Sequence, residues 1–206
     1  MPSLRSRALL IAVFAAAAVA ACARDAERAD APRTLPPGAV IDSALPIDTL
    51  LARFRATIPD TPRTLAGGER SPERLTRALL GALSAQDTAT IRRLVLSRAE
   101  FAWLYYPYTR YTHRPYELGP ELLWIQVSEN SEKGIVRLIR RYGGSALRFD
   151  ALACPDSSVT EGPNTLVGPC RVTFTAADSA ARTLQIFGSI IARDGQFKFV
   201  SYANEL

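Results

Sequence analysis

The chain has 206 residues, 48% of them apolar, 22% charged and 8% aromatic, which suits one globular domain with chain to spare at an end and excludes disorder of the whole. No internal repeat of about 20–50 residues is present, which excludes solenoids and propellers. The net charge of +5 is carried by 25 cations of which only Lys133 and Lys198 are lysines, an arginine skew that, with the many alanines, reads as GC-rich coding and not as a nucleic-acid footprint.

The chain opens with three zones. Arg5 and Arg7 form a positive start, Ala8 to Val19 is an uncharged apolar run, and Val19-Ala20-Ala21-Cys22 follows with small residues before a cysteine. The uncharged stretch from Ala8 to Ala23 is 16 residues long, short of the roughly 20 that span a bilayer. A secretory signal is expected. Its ending resembles the lipobox of bacterial lipoproteins. That resemblance implies cleavage of residues 1–21, a thioether lipid on Cys22 and acylation (palmitate) of its new amine. Several acyl chains then anchor the protein stably, where one would not. A plain secreted protein cleaved nearby, or an uncleaved short anchor, is the competing reading. Without Arg5 and Arg7, 23 cations face 20 anions, a mild +3. Ala23 stands where some proteobacterial lipoproteins carry an inner-membrane retention aspartate, so the resemblance points to the outer membrane, on its periplasmic face.

Residues 22–45 read as a tether, with mixed charge, Pro32, Pro36, Pro37 and Gly38, and no apolar period. A single domain follows over 46–206, helical to about 143 and sheet from about 146 to 204. Leu50, Leu51 and Phe54 predict a short helix over Thr49–Thr57. Ser71-Pro72-Glu73 is a strong helix start, and Leu75, Leu79 and Leu83 make Pro72–Ala85 amphipathic. Asp87 caps a helix expected over Thr88–Leu96. Ser97-Arg98-Ala99-Glu100 has capping-box spacing, and the helix it opens is expected to stop before Pro107. Gly119-Pro120-Glu121 opens the longest helix, which ends at Tyr142 and which Gly134 allows to bend.

Beyond Gly144 the apolar period changes from 3.6 to 2. Leu147-Phe149-Ala151, Val172-Phe174-Ala176, Thr183–Arg193 and Gln196–Ala203 predict four strands in a meander. Asp194-Gly195 between the last two suits a type I′ turn, which pairs Ile190 with Phe199, Ala192 with Phe197 and Ile191 with Lys198. The three cysteines are an odd number. With Cys22 given to lipid, Cys154 and Cys170 remain to form a disulfide across 15 residues in an oxidising compartment. A metal site would need a third thiol or a histidine nearby, and a redox pair would sit as C-x-x-C.

These elements give an α+β domain with N-terminal helices packed on a curved four-stranded antiparallel sheet. The order of elements and the closing segments Ile186-Phe187-Gly188-Ser189-Ile190 and Gln196-Phe197-Lys198-Phe199-Val200-Ser201-Tyr202 resemble the cystatin-like, NTF2-like roll over Pro72 to Leu206. Enzymes of that superfamily carry an Asp, His or Tyr in the cone mouth, so the alternative function is a small hydrolase or isomerase using His113 or Asp150 as base, although the resemblance itself assigns no residue a role. No nucleophile elbow, phosphate loop or metal motif is present, and no cofactor is expected.

Five of the seven tyrosines fall within Tyr105–Tyr116, together with the only histidine, His113. Tyr108, Arg110, Tyr111 and His113 are the candidate ligand-binding residues, since tyrosines offer rigid amphipathic area and the cations could hold an anion. The competing reading is a long loop pinned by aromatic burial. If the loop binds, Tyr108 and Tyr111 must be exposed. The favoured function is a non-catalytic, membrane-anchored binding or scaffold module whose partner is an envelope protein, a polymer or a small apolar ligand, and not nucleic acid.

Overall fold

The computed structural model describes residues 45–206; the expected signal segment, Cys22 and all of the tether but Leu45 lie outside them. Local sequence decides the helices. Helix α1 (Ile47–Ala56) buries Leu51 and Phe54. Helix α2 (Pro72–Ala85) begins where Ser71 Oγ accepts from the Arg74 N–H at 3.2 Å, and ends at Gln86 in the left-handed conformation. Asp87 likewise caps α3 (Thr88–Leu94) through the Thr90 N–H at 3.0 Å. This helix is two residues shorter than the apolar spacing predicts, because Val95 turns extended and bridges Phe199, and the Leu96 N–H then bonds the Phe199 carbonyl.

The Ser97–Glu100 capping box is formed reciprocally and starts α4 (Arg98–Glu100). Helical winding does not stop before Pro107. It loosens into a π turn over Phe101–Tyr105 and tightens into 3-10 turns at Tyr106–Tyr108 and Arg110–Thr112. Pro107 fits because the first residues of a short turn need no N–H partner. Helix α5 (Pro120–Tyr142) runs through Gly134 without interruption. A Cβ there would lie 1.7 Å from the Tyr202 carbonyl oxygen, and the Gly134 carbonyl accepts from Asn204 Nδ2. The glycine lets the C-terminal segment lie against the helix backbone.

The expected α+β class holds, but the single four-stranded meander does not. Among the described residues seven strands form two antiparallel sheets: β1 (Arg148–Ala153), β4 (Arg171–Thr175) and β5 (Ala181–Leu184) in the order β1-β4-β5, and β2 (Ser158–Glu161), β3 (Asn164–Val167), β6 (Ile190–Arg193) and β7 (Gln196–Phe199) in the order β2-β3-β6-β7. Thr183–Arg193 is not one strand. Ile186 and Phe187 are consecutive and both fully buried, which period-2 alternation on a half-exposed strand cannot do, and the chain changes sheets there. A bulge between Phe149 and Ala151 turns Leu152 inward, opposite Val172, in place of the expected Ala151. The β6–β7 turn has positive φ at both Asp194 and Gly195, and all three predicted cross-strand pairs are present.

The second sheet is a wall between two cores. Ile190 and Phe199 face Leu75, Leu79, Leu138 and Phe187, whereas Ile191 and Val200 face Phe54, Phe101, Tyr106 and Leu123. Lys198 therefore points into protein, not solvent. Its Nζ is 2.6 Å from Glu100 Oε2, and both residues are 3% exposed. Burial lowers the Lys198 pKa from its ordinary value, and the Glu100 carboxylate opposes that shift.

Cys154 and Cys170 form a disulfide, with Cα atoms 4.2 Å apart. It lies one register step beyond the Ala153–Arg171 pair of β1 and β4. There the chain leaves the first sheet, builds β2 and β3 in the second, and returns.

Candidate functional site

The tyrosine segment is anchored from beneath. Phe101, Tyr105 and Tyr106 are buried, their rings 5.7 Å apart in the Phe101–Tyr105 and Phe101–Tyr106 pairs. The Tyr106 hydroxyl donates to the Leu118 carbonyl at 2.6 Å, tying the loop's two ends together. Burial pushes the Tyr105 hydroxyl up to about 12, and Tyr106 likewise, so both remain neutral. The π turn turns two backbone carbonyls outward to partners elsewhere. Ala102 O accepts from Arg55, and Leu104 O accepts from Asn164 Nδ2 at 2.7 Å and Arg193 at 3.2 Å.

These bonds dock the loop onto the β2–β3 hairpin. The hairpin turns at Gly162-Pro163, where Gly162 has φ +59 and a Cβ would meet Tyr108 Cδ1 at 2.4 Å. Only glycine permits both the dihedral and the ring against it. The Arg193 guanidinium also lies over the Tyr108 ring, 5.5 Å from its centroid. Next to it, Glu161 Oε1 accepts the Arg110 backbone N–H at 3.0 Å. Glu161 Oε2 is shielded from solvent and has no hydrogen-bond partner.

Tyr108 and Tyr116 are exposed, at 38% and 48%, while Tyr111 is half-buried. The Arg110 guanidinium lies 5.2 Å from the Tyr111 ring and 6.0 Å from Tyr116, and these two rings meet edge to face at 5.3 Å. Thus the two readings of the loop divide by residue: Tyr105 and Tyr106 are packing, Tyr111 is half-buried against the second core, and Tyr108, Tyr116 and Arg110 form an open face, so the exposure expected of Tyr108 and Tyr111 is found at Tyr108 alone. His113 is not part of it. It borders a separate cleft beside α1, with Ile47, Asp48 and Pro107.

A cleft of about 220 Å³ opens between the loop and the hairpin, lined by Tyr105, Arg110, Tyr111, Glu161, Val159 and Leu166 among others. A larger groove of about 420 Å³ runs between α3 and α5 over Val200 and Tyr202. It is mainly apolar, and its serines are spent on backbone: Ser128 donates to Trp124 O, and Ser131 Oγ accepts from the Tyr202 N–H.

The two bases of the enzyme alternative line neither the cleft between loop and hairpin nor the groove between α3 and α5. His113 is on an exposed turn, and Asp150 is paired with Arg148 at 2.7 Å and accepts from Thr175 on the outer face of β1. Sequence reasoning missed Glu161, Asn164 and Arg193. The one local signal was Gly162-Pro163, a turn dipeptide inside what reads as a disulfide loop. Among the described residues, no helix is long and apolar enough to cross a membrane and no three His, Cys, Asp or Glu side chains converge as a metal site.

No protein-family model, curated protein or solved structure matches the chain.

Proposed function

We propose that this protein is a lipid-anchored lipoprotein of the cell envelope, held at the periplasmic face through Cys22, and that its domain is a non-catalytic binding module. The observation that carries the binding reading is the division of the tyrosine loop. Buried Tyr105 and Tyr106 immobilise a segment whose next side chains, Tyr108, Arg110 and Tyr116, stand open to solvent. A preorganised face of tyrosine and arginine loses little conformational entropy on binding, which is why such residues dominate recognition surfaces. The anchor reading is supported by the three-zone N-terminus and by cysteine pairing: Cys154 and Cys170 consume each other, and Cys22 is the remaining thiol. Kinship with the cystatin-like, NTF2-like roll belongs to the same reading. It is supported by helices α2 and α5 packed on sheet and by the β6–β7 closing hairpin, while the division into two sheets departs from the simple meander.

The partner is an envelope protein or polymer. In vivo crosslinking of the full lipoprotein, with Tyr108→Ala and Tyr116→Ala variants, tests the face: both should lose the crosslinked neighbour at unchanged protein level. Unaltered crosslinking in both would remove the loop from the function. Labelled palmitate should enter the wild type and not Cys22→Ala, and a mature chain beginning elsewhere without lipid would end the anchor reading.

A further inference from the structure

The cleft between the tyrosine loop and the β2–β3 hairpin holds two opposite charges that do not meet. Glu161, 9% exposed, keeps one oxygen on the Arg110 backbone and leaves the other without a partner among the described residues. A buried, unpaired carboxylate oxygen is costly and calls for a donor. The cation on the cleft wall is the Arg110 guanidinium, yet among the described residues it makes no ion pair with Glu161, and its side chain hydrogen-bonds the Tyr111 hydroxyl at 3.4 Å. It stays over the Tyr111 and Tyr116 rings instead. Between these charges the wall is Tyr105 and Tyr111 on one side and Val159, Leu166 and Val167 on the other. The volume, about 220 Å³, equals roughly seven waters at about 30 Å³ each. That volume admits a free amino acid.

We propose that this cleft binds a small zwitterion, a free α-amino acid with an aliphatic side chain. Its ammonium donates to Glu161 Oε2, its carboxylate takes the Arg110 guanidinium, and its side chain lies against Val159, Leu166 and Val167. The Glu161 side chain must tilt toward the cleft to expose Oε2. The ligand's ammonium meets the buried Glu161 charge, while its carboxylate meets the Arg110 guanidinium at the exposed rim. A donor-poor or single-charge molecule cannot do this, and sites built on buried polar partners reject such analogues strongly. The inference deepens the binding-module reading and rests on it, but it is measured apart from partner capture.

Isothermal titration of the full protein in detergent with L-leucine tests it, beside L-leucinamide, which lacks the carboxylate, and N-acetyl-L-leucine, which lacks the ammonium. L-Leucine should bind saturably, and each control at least tenfold more weakly. Glu161→Gln should lose L-leucine at least tenfold. Arg110→Gln alters an exposed side chain and reads the same loss should the first variant fail to fold. Absence of saturable L-leucine binding, equal binding of either control, or undiminished binding in Arg110→Gln overturns the proposal. If partner crosslinking persists while L-leucine fails, the cleft inference falls alone. Loss of crosslinking with L-leucine retained strikes only the protein or polymer partner.

Discussion

Replacing Lys198 with methionine keeps the aliphatic stem and removes only the ammonium. In the folded protein Glu100 accepts three hydrogen bonds: from Lys198 Nζ at 2.6 Å, and from the Ser97 and Ala66 N–H groups, each at 2.8 Å. Lys198 Nζ donates in addition to the Ala66 carbonyl at 3.0 Å. Lys198→Met thus strands a carboxylate at 3% exposure, with two backbone donors but no countercharge, and orphans one carbonyl. Breaking one side of a buried pair costs about 3–5 kcal/mol. Glu100→Gln should cost a similar amount, because it strands the ammonium and puts an amide among donors. The double variant holds no uncompensated charge and should lose clearly less than the two single losses added together. Urea unfolding without reductant, read by circular dichroism, gives all three values as shifts in midpoint at constant slope. A Lys198→Met loss under about 1 kcal/mol, or strict additivity of the two singles, would refute the claim that this pair is desolvated and coupled.

Three further outcomes follow from burial and covalent geometry. Tyr105 and Tyr106 are pushed up to about 12 by burial, and Tyr202 is raised further, from an ordinary 10.0. The folded state keeps protons that the unfolded chain releases, so stability is whole below pH 10 and falls as pH rises from there towards 12; tyrosinate absorbance should rise for these three only with unfolding. Tyr106→Ala removes a fully buried ring and should cost about 3–5 kcal/mol, whereas Tyr108→Ala should cost under about 1 kcal/mol, as thermal melts will show. Replacing Cys154 and Cys170 with serine should cost about 2–4 kcal/mol for a ring of this size, and peptide maps should join these two cysteines before reduction.

What the sequence makes legible here is what is decided within a few residues. Ser71, Asp87 and the Ser97–Glu100 box mark helix starts because each cap bonds an N–H three residues ahead. The β6–β7 register is readable because a two-residue turn leaves no freedom. Glu100 shows where legibility ends. Its capping role is local, but its bond to Lys198 spans 98 residues and depends on a second core that covers the far side of the sheet. Glu161 is harder still. Ser157-Ser158-Val159-Thr160 is too polar to alternate, so the strand it leads into arises from pairing with β3, which itself pairs β6. Within the tyrosine loop, composition shows the cluster but not which rings turn inward, since a π turn rotates successive side chains away from helical spacing.

The sulfur bond at the sheet junction changes how the molecule is wired. Between β1 and β4 two covalent routes exist, one through the β2–β3 hairpin and one through the Cys154–Cys170 bridge. A protease cut anywhere in the hairpin would leave a single covalent molecule, with both frame strands still joined end to end. Evolution meets the same freedom. Residues at the exposed tip of the hairpin can be exchanged while the bridge and the β1–β4 ladder together keep those two strands in step, although β3 itself remains tied to the frame through β6.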